Sequence, residues 1–147
     1  MRRLRAGLAV ALLAALLGGC VGDPQASYCR AVERNQAALG EIVGTGARDA
    51  LLQALPHFDD LASRAPRDIA EDWREVTRAV TRLQNAFDAA EVDPATFDPM
   101  SPPEDLSEEA LLRIQRAAAD LDRPVTRTAL ARVEQHALDV CGTPLGL

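Results

Sequence analysis

The chain has 147 residues, a formal net charge of -6, sixteen Arg and no Lys. It has room for one domain, and without a basic surface it is a poor partner for nucleic-acid phosphates. Ala and Leu make up about a third of it, with only five aromatic side chains. That composition favours helices over a sandwich or barrel.

The predicted elements begin with an address. Met1-Arg2-Arg3-Leu4-Arg5 is a positive n-region, and residues 6–17 are apolar apart from Gly7. The run is shorter than the roughly 20 residues that a bilayer span needs. It ends in Leu17-Gly18-Gly19-Cys20, which resembles the bacterial lipobox. The resemblance implies a signal peptide over 1–19, cleavage before Cys20, and diacylglycerol on the Cys20 sulfur. The alternatives are an ordinary secretory signal or a short anchor; Arg2-Arg3 alone is a weak twin-arginine signal. Cleavage leaves 128 residues with thirteen Arg against 22 acids, a charge of -9. Such a domain is repelled by anionic headgroups, so the lipid must do the anchoring.

With Cys20 assigned, Cys29 and Cys141 remain. Outside the cytoplasm they can form one intramolecular bridge; free thiols are the alternative. Two Cys with no adjacent third ligand do not make a zinc site.

A lipidated tether is expected over 20–23 and a helical domain over 24–141. Asp23 and Pro24 suit the N-cap and N1 of a helix over 24–43, with Tyr28, Val32, Leu39 and Ile42 inward. A second helix is expected over 47–64, kinked at Pro56. A third, over 66–91, carries the clearest seam: Ile69, Trp73, Val76, Val80, Leu83, Phe87 and Ala90 alternate by four and three. That is the signature of a helix in a bundle. Pro94, Pro99, Pro102 and Pro103 make 92–106 a loop. Ser107 caps the next helix, with Leu111, Ile114, Ala118 and Leu121 inward. After Pro124 a last helix places Val125, Ala129, Val133, Ala137 and Val140 inward, and Gly142 and Pro144 stop it. Residues 142–147 read as a C-terminal tail. The fold expected is all-α, an up-down bundle of four to five helices with kinks at Pro56 and Pro124. A Cys29–Cys141 bridge requires the last helix to end where the first begins. The 92–106 loop then lies at the end away from the membrane.

Candidate sites are sparse. From Asp88 to Glu109 there are eight acids and no Arg. Asp93, Asp98, Glu104 and Asp105 form a candidate interaction loop for a cation or basic partner; the plainer reading is a solvated loop. It lacks calcium-loop spacing. His57 and His136 are far apart and read as ordinary helix histidines. No nucleophile elbow, P-loop or dinucleotide fingerprint occurs, so no catalytic residue, metal or cofactor is expected.

Cys20, Tyr28-Cys29, Ala65-Pro66, Ala70-Glu71-Asp72-Trp73, Val92-Asp93-Pro94 and Val140-Cys141-Gly142 together resemble small uncharacterised lipoproteins of high-GC Gram-positive bacteria. The resemblance implies a lipid anchor on the extracytoplasmic face and a helical fold, with no activity to carry over. The expected role is a binding or interaction module with a protein partner in the cell envelope. The alternatives are a carrier holding a small apolar ligand between helices and, disfavoured by the missing motifs, an enzyme.

Overall fold

The structure, a computed structural model, describes residues 23–147. Cys20 and the segment 1–19 lie outside the described residues. The described chain is all-helical, with six helices: α1 (Pro24–Gly44), α2 (Ala50–Gln53), α3 (Leu55–Arg64), α4 (Ala70–Ala90), α5 (Glu108–Leu121) and α6 (Pro124–Cys141).

Local chemistry sets the boundaries. The Asp23 carboxylate accepts from the Gln25 N–H at 3.0 Å, and the Ser107 hydroxyl from the Ala110 N–H at 3.2 Å. These satisfy donors that a helix start leaves open. The stretch expected as one helix over 47–64 is divided at Ala54. Pro56 sits in the first turn of α3, where its missing N–H costs nothing. That division takes the count to six.

The third expected helix starts late. Ala65 precedes Pro66 and is held extended (ψ 129°), so 66–69 form a turn and α4 begins at Ala70. It ends at Glu91, whose φ of 53° is the left-handed conformation usually given to glycine. Gly142 closes α6 the same way at φ 68°.

Helix α4 is the central element, packing against α2, α3, α5 and α6. Its first half meets α1, α3 and α6 through Trp73, Val76 and Val80, with Tyr28, Val32, Phe58, Ala129 and Val133 around them. Its second half buries Leu83, Ala86 and Phe87 against Ile114, Ala117 and Phe97. Cross-links to α4 fix the direction of the last two helices. Arg82 pairs with Asp120 at 3.1 Å, Glu75 receives the Thr126 hydroxyl at 3.0 Å, and Asp72 lies 3.5 Å from Arg132. Both α5 and α6 therefore run against α4, one after the other.

Three inward faces differ from the periodicity. In α5, Ala110, Ile114 and Ala117 are buried and Ala118 is exposed. Leu111 and Leu121 pack inward as expected; the run Ala117-Ala118-Ala119 offers the same side chain at each register, and small Ala side chains let α5 approach its one main neighbour closely. In α6, Val125 is half exposed and Thr126 is buried. The Thr126 hydroxyl lies 2.9 Å from the Asp120 carbonyl as well as near Glu75, so its burial leaves no polar group orphaned. The segment read as a tail is not free of the core: Leu145 is fully buried.

Candidate functional site

The disulfide expected from the sequence is present. Cys29 and Cys141 are bridged, with Cα atoms 5.1 Å apart and a sequence separation of 112. The bridge ties the first turns of α1 to the end of α6. Next to it lies a polar chain inside the apolar core. The Trp73 indole N–H donates to the Tyr28 hydroxyl at 2.9 Å, with both side chains fully buried. His136 packs edge-on to Tyr28 at 5.5 Å, and its Nε2 lies 3.3 Å from Asp68. Burial pushes the Tyr28 phenol above its usual range; the Trp73 hydrogen bond offsets part of this, and the nearby Asp68 charge adds to it.

A second polar cluster, unread in the sequence, joins α1 to α3. Asn35 is buried on the otherwise apolar face of α1. Its amide N–H groups donate to the Ala31 carbonyl at 2.8 Å and to Asp60 at 2.9 Å. Its carbonyl oxygen lies 2.7 Å from His57 Nδ1. The two acceptors fix the amide nitrogen on their side, so the atom facing His57 is the oxygen, an acceptor, which assigns the His57 proton to Nδ1. Arg64 pairs with Asp60 at 2.9 Å and Arg34 at 3.6 Å. The Asn35 hydrogen bond, more than Arg64 or Arg34, holds the Asp60 carboxyl below the usual carboxylate range against the desolvation that opposes it. The signal available in the sequence was the break in the apolar stripe between Val32 and Leu39.

The acidic loop is partly occupied by its own backbone. Asp93 accepts from the Ala95 N–H and Asp98 from the Met100 N–H, both at 2.9 Å. Arg48, from the turn after α1, reaches the Phe97 carbonyl at 3.3 Å and Asp98 at 3.9 Å. Phe97 is buried on Phe87 at 5.3 Å. Asp93 and Asp98 therefore shape the loop, whereas Glu104 and Asp105 are exposed with no ion pair among the described residues. Among the described residues no group of three or more His, Cys, Asp or Glu is placed to hold a metal ion.

A shallow groove runs along the outer side of α6, lined by Pro124, Arg127, Thr128, Ala131, Arg132 and Gln135. It opens to solvent and does not enter the space between helices. No described helix is long and apolar enough to cross a membrane. No protein-family model, curated protein or solved structure matches the chain.

Proposed function

We propose that the chain is an extracytoplasmic lipoprotein of the cell membrane, similar to the small lipoproteins of high-GC Gram-positive bacteria. In this reading residues 1–19 are the signal peptide and Cys20 carries diacylglycerol. The helical domain, an up-down bundle in which Pro56 and Pro124 each open a new helix, serves as a non-enzymatic module that engages a protein partner in the envelope.

The observation that carries this reading is the Cys29–Cys141 disulfide. Such bridges persist in oxidising compartments and are rare where glutathione keeps thiols reduced. It therefore supports export, the step that the Arg-rich start, apolar run and Leu17-Gly18-Gly19-Cys20 also indicate. The anchor has to be lipid on energetic grounds, because an acidic domain gains nothing from anionic headgroups and two acyl chains hold far more firmly than one.

Intact mass of membrane-extracted protein tests the anchor. The expected mass is that of residues 20–147 plus the lipid, and Cys20→Ala should leave the membrane fraction. An unmodified full-length mass, or a membrane-bound Cys20→Ala variant, would overturn it. Crosslinking in intact membranes tests the partner; the absence of a reproducible crosslinked protein would count against an interaction module.

A further inference from the structure

The charge on the mature domain is unevenly distributed along the helix axes. The disulfide, the Asp68–His136 contact and Trp73–Tyr28 gather the start of α1, the end of α3, the start of α4 and the end of α6 at one end. Phe87–Phe97 and Arg48–Asp98 gather the turn after α1, the end of α4 and the acidic loop at the other. The first half, residues 23–36, 55–80 and 124–147, holds ten acids and eight Arg, a side-chain charge of -2. The second half, residues 37–54 and 81–123, holds twelve acids and five Arg, a charge of -7. Nearly all of the excess negative charge thus belongs to the half farther from the start of α1. Arg30 and Arg67, at the disulfide end, are exposed and have no ion pair among the described residues. Acids share that end: Asp23, Asp68, Glu134 and Asp139.

We infer that this polarity orients the bundle on an anionic phospholipid bilayer, with the disulfide end against the headgroups and the acidic loop held outward. The inference rests on the anchoring reading of Cys20. Pro24 is four positions after Cys20, so an extended tether reaches at most about 14 Å. The lipid therefore keeps the start of α1 at the surface but leaves the bundle free to tilt.

Electrostatics removes that freedom. The potential of an anionic surface decays over ~8 Å at physiological ionic strength, and the 21 residues of α4 span about 31 Å. Upright, the acidic half lies several screening lengths out. Lying flat would bring the acids on one side of that half against like-charged phosphates, whereas the near-neutral end meets little repulsion. The same polarity leaves Glu104 and Asp105 facing away from the bilayer, where a partner can reach them.

The test uses the lipidated protein, residues 20–147, in vesicles of phosphatidylglycerol or of phosphatidylcholine, with an energy acceptor in the bilayer. A donor dye is placed on Met100→Cys, in the exposed loop, or on Gln25→Cys in the first turn of α1. The Gln25 position should transfer equally in both lipids. The Met100 position should transfer at least about twofold less in phosphatidylglycerol, and high salt should erase the difference. Glu104→Arg with Asp105→Arg should raise its transfer in phosphatidylglycerol only. Equal Met100 transfer in the two lipids, on a chain that is acylated and floats with the vesicles, overturns the orientation alone. A chain without acyl mass that fails to float overturns the anchoring reading, and the orientation with it.

Discussion

The Trp73 indole N–H and the Tyr28 hydroxyl meet at 2.9 Å across the core between α1 and α4, beside the Cys29–Cys141 bridge and out of reach of water. Each is the other's partner in an apolar site. Tyr28→Phe leaves the indole N–H buried without an acceptor and should cost about 1–3 kcal/mol. Adding Trp73→Phe to Tyr28→Phe removes the orphaned donor, so the double variant should lose less than the sum of the singles, apart from the smaller ring's lost packing. Urea unfolding of the four proteins measures the coupling; strict additivity would show that the bond contributes nothing.

Tyr28 is the chain's one tyrosine, so its ionisation can be read directly from tyrosinate absorbance. Its folded pKa is raised, with burial the largest cause. The unfolded chain therefore loses the proton first. The stabilisation is complete below the ordinary tyrosine value near 10 and is lost as pH rises from there through the folded pKa. Absorbance should appear late, together with loss of helix. A titration at the ordinary value with the helix signal intact would contradict the buried placement.

At acid pH the sign reverses for Asp60. Its folded pKa is lowered, first by the Asn35 amide and then by Arg64 and Arg34 against desolvation. Its contribution is present above the ordinary carboxylate range and is lost as pH falls through the folded pKa. Asn35→Ala should move the Asp60 carboxyl up toward its ordinary value, measured by carboxyl NMR. Removing the buried amide should also cost about 1–3 kcal/mol.

The bridge closes nearly the whole domain. With a sequence separation of 112 between its cysteines, chain entropy gives a stabilisation of up to ~4.7 kcal/mol. Cys29→Ser with Cys141→Ser should lower the melting temperature, and reductant should do the same to the native protein. Leu145, fully buried just beyond the bridge, gives a separate check: Leu145→Ala should cost about 2–5 kcal/mol, where a solvated tail would lose almost nothing.

One substitution should help. Glu91 holds φ at 53° without being glycine, a conformation in which its Cβ crowds the backbone. Glu91→Gly relieves that crowding and should raise stability by up to about 1 kcal/mol. A fall in stability would mean that the carboxylate makes a contribution that outweighs the strain.

Much of the local structure was legible because it depends on near neighbours. The three-and-four spacing from Ile69 to Phe87 names the buried side of α4, and Asp23, Ser107 and Gly142 mark helix ends through their own backbone chemistry. With Cys20 set aside by its resemblance to a lipobox cysteine, one intramolecular pairing was left, and the structure makes it. Periodicity failed where neighbouring positions are alike, as in the run Ala117-Ala118-Ala119, and where a polar residue is buried. Asn35 and Thr126 look like surface residues until Asp60, His57, Glu75 and Asp120 come within hydrogen-bonding distance.

By itself, then, the sequence determined the helical class and the loop at 92–106, because each follows from composition, spacing or proline content, and it narrowed the cysteine pairing to one candidate once Cys20 was set aside. Only the tertiary structure decided that Pro56 opens a new helix, that Leu145 returns to the core, and that Arg48 reaches the acidic loop. These depend on contacts between residues distant in sequence, and the energy of such a contact resides in neither partner alone. The acidic charge that reads as evenly spread along residues 23–147 becomes, once folded, a near-neutral end and an acidic one.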